Sequence, residues 1–86
     1  MPHVIVKLWP GKTTGQKRAL SEAIVRDVAR ILGYGQHSVS VGFEEVDAGD
    51  WNGQVFQPDI LGRWDTLMKE PGYGPRPATN DKGNTR

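Results

Sequence analysis

The 86-residue chain contains no cysteine. Disulfide staples and thiolate metal sites are excluded, and the only two histidines, His3 and His37, show no metal-ligand spacing, so no structural zinc site is expected. An excess of charge of one sign is also missing. Eleven basic residues face ten acidic ones, leaving a formal net charge of +1, which builds no broad field for the phosphates of a nucleic acid. Long apolar runs are absent too. The opening Met1-Pro2-His3-Val4 lacks the cationic stretch and apolar core of a signal peptide, and no later segment reaches membrane-spanning length. The expected location is the cytoplasm, with neither membrane nor nucleic acid as a partner. Finally, the chain lacks bulk: a lone core of this size supplies only a few kcal/mol of net stability, so oligomerisation is expected.

What is present has a clear order. Residues 3–9 (HVIVKLW) are rich in β-branched side chains and read as a largely buried strand. Pro10-Gly11-Lys12 breaks the strand, and Thr13 followed three residues later by Gln16 has the form of a capping box. Over residues 15–32, Leu20, Ile24, Val28 and Ile31 recur at helical spacing, with Ala19, Ala23, Val25 and Leu32 widening the same face. The opposite face is charged, and Glu22 and Arg26 stand at the favourable (i, i+4) spacing. Gly33 supplies a stop and Gly35 a turn. Residues 38–46 (SVSVGFEEV) then alternate through Val39, Val41 and Phe43, the period of a strand.

Strand, helix and strand predict an α/β fold built on a βαβ unit, with parallel strands and a right-handed crossover. Two strands under one helix leave a face and an edge uncovered, which a second copy of the chain most simply completes. Residues 47–53 are turn-rich around Trp51. A short second helix is predicted over 59–69, after Pro58, with Ile60, Leu61, Trp64, Leu67 and Met68 on its apolar face. Residues 1–73 read as a single domain. The run 74–86, made of Gly, Pro and small polar residues, reads as a disordered tail.

Chemistry can enter at Pro2, although from its position alone this proline reads first as a rigid strand entry. A small second residue generally permits removal of the initiator methionine, and a proline then carries a secondary amine where an amide stood. An amide nitrogen is no base. A free α-amino group titrates near 7.7–8.0, and burial or a neighbouring cation lowers that value toward neutrality, where a general base works best. Glu44 and Glu45 do not form a catalytic carboxylate pair, because adjacent strand residues point to opposite faces. His3, next to the proline, points away from it and reads as structural.

The order Met-Pro, strand, Pro-Gly-Lys, helix and Ser-Val-Ser-Val-Gly-Phe-Glu-Glu-Val resembles the 4-oxalocrotonate tautomerase family over about residues 1–51. The continuation PDILGRWDTLMKEPGY is similar to a branch with a second helix, a Lys-x-Pro-Gly-Tyr ending and a usual dimeric assembly. The resemblance implies a tautomerase-like βαβ protomer whose four-stranded sheet is completed by dimerisation, with a hexamer as the alternative assembly. It also implies catalysis by the N-terminal proline without metal or organic cofactor. Pro2 falls on the family's base. Lys12 falls on the first substrate-binding arginine, keeping the cation but losing the planar, bidentate grip on a carboxylate. Without the family it reads more readily as a solvated turn lysine.

Ser40 falls on the family's second arginine. It can donate one hydrogen bond but cannot neutralise a second carboxylate, so the resemblance implies a mono-carboxylate rather than a diacid substrate; an ordinary polar strand position is the alternative. Trp51 aligns with an aromatic that walls the proline, and Arg63 is a candidate for the missing second cation. The expected activity is tautomerisation of an enol 2-oxo acid of the phenylpyruvate type. The alternatives are proline-dependent dehalogenation or hydration of an unsaturated acid, in which the protonated amine acts as an acid, and a homodimeric binding domain that has lost the chemistry.

Overall fold

The computed structural model describes residues 1–78, and within it the chain divides into two compact units, Met1–Asp47 and a second that starts at Ala48. The first is the predicted βαβ unit: β1 (His3–Leu8), α1 (Thr14–Leu32), a single tight helical turn at Gln36–Ser38, and β2 (Ser40–Glu45). The strands are parallel, in a register that pairs His3 with Ser40, Val4 with Val41, Val6 with Phe43 and Leu8 with Glu45. The ladder is closed at its ends by the Ser40 N–H on the Pro2 carbonyl (3.1 Å) and the Val46 N–H on the Leu8 carbonyl (2.9 Å).

α1 begins where the capping box places it. The Thr13 hydroxyl accepts the Gln16 N–H (3.0 Å) and the Gln16 side-chain carbonyl accepts the Thr13 N–H (2.9 Å), so two otherwise orphaned donors are satisfied. The helix stops at Gly33, whose left-handed backbone (φ 80°) lets its N–H reach the Ala29 carbonyl. The expected Glu22–Arg26 pair is not formed among the described residues. Asp27 draws the arginines instead, with Arg30 at 3.2 Å and Arg26 at 3.8 Å, since a carboxylate three residues before Arg30 lies on the same side of the helix.

Partners in a parallel register share a face of the sheet. Val4, Val6, Leu8, Val41, Phe43 and Glu45 therefore lie together, opposite His3, Ile5, Lys7, Ser40, Gly42 and Glu44. α1 lies on the first of these faces: its Lys17 ammonium donates to the Glu45 carboxylate, and Lys17 and Ser21 line a groove with Val41 and Phe43. The prediction of a largely buried first strand needs correction. No residue of β1 or α1 is fully buried, Ile5 is 53% exposed, and Leu20, Ile31 and Leu32 on the apolar stripe of α1 are 44%, 66% and 60% exposed. The first unit has one helix for a two-faced sheet, and that helix has nothing of its own unit on its outer side.

The second unit is irregular. Its helical backbone starts at α2 (Ala48–Trp51), widens into turns of the i→i+5 kind over Asn52–Ile60, and tightens to i→i+3 turns over Leu61–Thr66. The second helical segment thus begins eleven residues before the predicted start at 59, and the stretch predicted as turns is in part helical. Pro58 explains the wide turns: it has no N–H to donate and its ring crowds the preceding turn, so a regular ladder cannot pass through it.

This unit buries Val55, Phe56 and Trp64. Residues 70–78 fold back over its aromatics, with the Tyr73 ring 5.5 Å from that of Phe56 and the Arg76 guanidinium 5.2 Å above Trp64. The disordered tail expected from residue 74 therefore meets the structure at residues 74–78, in these contacts; its remainder lies outside the described residues.

Candidate functional site

Pro2 stands immediately before β1 and is half-buried. Its carbonyl is held by the Ser40 N–H, while its nitrogen, having no hydrogen to give, takes no part in the sheet. With Met1 attached that nitrogen is an amide. Met1 is 92% exposed.

Ser40 opens β2 opposite His3, and its hydroxyl is hydrogen-bonded to His3 Nδ1 at 2.6 Å. Sequence reasoning sets His3 and Ser40 apart, one as structural and the other as substrate-binding. The register joins them on one face of the sheet, the face away from α1. The only signal for this pairing was the register itself, which neither strand states alone.

Lys12 lies in the turn between β1 and α1, after Gly11, whose φ of 122° suits a residue without a side chain. Its ammonium is exposed and has no hydrogen bond or ion pair among the described residues, so it is a cation available to an anion from solution. Arg63, in the second unit, is exposed too; its backbone carbonyl accepts the Thr66 hydroxyl (2.7 Å) in a distorted turn at φ −130° and ψ 33°.

Trp51 closes α2 and is half-buried, with its indole N–H donated to the Tyr73 hydroxyl at 3.0 Å. The sequence marks Tyr73 only as the end of the Lys-x-Pro-Gly-Tyr run and gives it no role, since the Gly and Pro residues around it carry no periodicity. The first unit brings Pro2, Ser40 and His3 to one end of the two strands. The open groove on its helical face is lined by Thr14, Lys17, Arg18, Ser21, Glu22, Val41 and Phe43 and contains none of the candidate residues. Among the described residues no three His, Cys, Asp or Glu side chains gather closely enough to hold a metal ion, and no helix is long and apolar enough to cross a membrane.

Comparison with known proteins gives one consistent result. The family described as tautomerase enzyme matches residues 2–55. A probable tautomerase of Xylella fastidiosa is 39% identical over 74 residues, covering 86% of this chain and 90% of that protein. Tautomerase PptA of Cronobacter sakazakii is 34% identical and that of Enterobacter sp. 38% identical, each over 74 residues, 85% of this chain and 97% of the relative. The matched region begins at Pro2.

Proposed function

The chain belongs to the tautomerase family and resembles its PptA members, and from that premise we propose that it interconverts the enol and keto forms of a 2-oxo acid with the Pro2 amine as general base. The observation that carries the proposal is the position of Pro2. Its carbonyl anchors the ladder, its nitrogen owes nothing to the sheet, and an exposed Met1 is all that separates that nitrogen from being a free secondary amine.

In this reading the neutral amine accepts the enol hydroxyl proton as the carbon–oxygen double bond forms, and the resulting ammonium returns a proton to the adjacent carbon. One proton moves, no electrons leave the substrate, and the amine is regenerated. The unpaired Lys12 ammonium holds the carboxylate. Ser40, neutral and bonded to His3, brings no second cation, which supports a mono-carboxylate such as enol phenylpyruvate over a diacid. The role of Trp51 as an apolar wall is part of the same proposal and stands on the family resemblance. The test compares methionine-free protein with a Pro2→Ala variant in ketonisation of enol phenylpyruvate. A loss of about 10²- to 10⁴-fold is expected, the usual contribution of a positioned base; equal rates would end the assignment.

The sign of the pH dependence separates this reading from hydration or dehalogenation. A base must be neutral, so kcat/KM should rise with pH through the titration of the amine; an acid catalyst would give the opposite slope. The proposal also includes a cytoplasmic homodimer. Ile5 on the sheet face away from α1, Trp9 just after β1, and Leu20, Ile31 and Leu32 on α1 are apolar side chains left exposed, and covering such surface by a second copy is what supports this part of the proposal. Sedimentation at twice the chain mass is the expected result.

A further inference from the structure

The geometry points to Tyr73 as the residue that positions Trp51, acting through its hydroxyl, so that the strap of residues 70–77 sets how the wall indole is presented to the substrate. The inference rests on the reading of Trp51 as that wall.

Tyr73 is 52% exposed, so burial is a poor reason for its place. What is fixed is the direction of its hydroxyl. The ring lies against the buried Phe56, 5.5 Å between centroids and tilted by 42°. The next residue, Gly74, has φ 78°, and a Cβ there would stand 2.6 Å from the Phe56 ring, so the strap passes as close to that ring as a backbone can. Beyond it, Arg76 reaches back to the Glu70 carboxylate (2.9 Å) while lying over Trp64 at 5.2 Å, closing a loop with Tyr73 inside it.

The hydroxyl held in this way accepts the indole N–H of Trp51 at 3.0 Å. An indole has a single donor, and a half-buried tryptophan that loses its acceptor is free to turn. Trp51 sits where the regular turns of α2 give way to the wide i→i+5 turns of Asn52–Ile60. A flat apolar wall matters most to a flat apolar substrate. Tyr73 should therefore favour aryl over alkyl 2-oxo acids, and it should do so through KM more than kcat.

The test uses methionine-free protein carrying Tyr73→Phe, which keeps the ring on Phe56 and removes only the oxygen, beside Trp51→Phe and the double variant. KM and kcat are measured with enol phenylpyruvate and with the enol of an alkyl 2-oxo acid. The chain has three tryptophans, so the ¹H–¹⁵N spectrum should show three indole signals, with that of Trp51 identified by its loss in Trp51→Phe. Tyr73→Phe should shift the Trp51 indole signal and speed its exchange with water. It should raise KM for the aryl substrate by about three- to tenfold, the size of one hydrogen bond, change the alkyl KM less, and add nothing in the Trp51→Phe background. If Trp51→Phe alters the aryl KM but Tyr73→Phe does not, or if the two effects simply add, the positioning role is wrong and the reading of Trp51 stands. If Trp51→Phe leaves both substrates unchanged, the wall itself is wrong and this inference falls with it, while Pro2→Ala still judges the base.

Discussion

The two units of this chain divide order and burial between them in an unexpected way. The first has the regular hydrogen-bonded elements, a capped nineteen-residue helix and a six-pair parallel ladder, yet it fully buries only Val46. The second has hardly a regular turn, yet Val55, Phe56 and Trp64 in it are buried, and Tyr73 and Arg76 lie against Phe56 and Trp64. Regular backbone is evidence of satisfied peptide groups, whereas burial needs a second surface. In this chain the regular unit leaves apolar side chains of β1 and α1 exposed, and the fully buried aromatics lie in the irregular one.

That contrast can be broken most sharply by truncation. Phe56→Ala should cost about 3–5 kcal/mol in denaturant unfolding, as for a large aromatic removed from a packed site. Ile31→Ala in the first unit, at a residue 66% exposed, should cost well under half as much when measured on dissociated chains. Equal costs would show that the single chain buries its helix after all. A smaller effect tests the strap: Gly74→Ala must fit a Cβ 2.6 Å from the Phe56 ring at a φ of 78°, and a loss of about 1–3 kcal/mol is expected from overpacking and left-handed strain together. A neutral result would mean that the strap does not lie on the ring. The smallest sharpens the account of the first unit. Thr13→Ala removes the hydroxyl that accepts the Gln16 N–H and should cost about 1 kcal/mol, detectable as a lower denaturant midpoint with an unchanged slope.

The first unit was legible in the sequence because its signals are local and periodic. Thr13 and Gln16 announced the start of α1, Gly33 its end, and the alternation of Val39, Val41 and Phe43 the second strand, each within two residues of what is observed. The second unit was less legible. Two glycines in Ala48-Gly49-Asp50-Trp51-Asn52-Gly53 argued for turns, and Pro58 argued for a helix start rather than a helix interior, whereas the packing of Val55 and Phe56 overrode both preferences.

The candidate residues divide on the same principle. Pro2 and Lys12 could be singled out because the order Met-Pro, strand, Pro-Gly-Lys resembles the family's and places them on its base and its first binding cation. The His3–Ser40 and Trp51–Tyr73 hydrogen bonds could not, because each joins residues distant in sequence through a register or a chain reversal that no local pattern encodes.

The way Pro2 is held leaves its nitrogen outside the strand ladder. The sheet takes hold of this residue by its carbonyl, and its nitrogen contributes no bond to the ladder. Cutting away an exposed Met1 leaves every described strand contact in place. Under the role proposed for Pro2, the described strand contacts form with Met1 in place, and one aminopeptidase event afterwards would free the catalytic nitrogen without removing any of them.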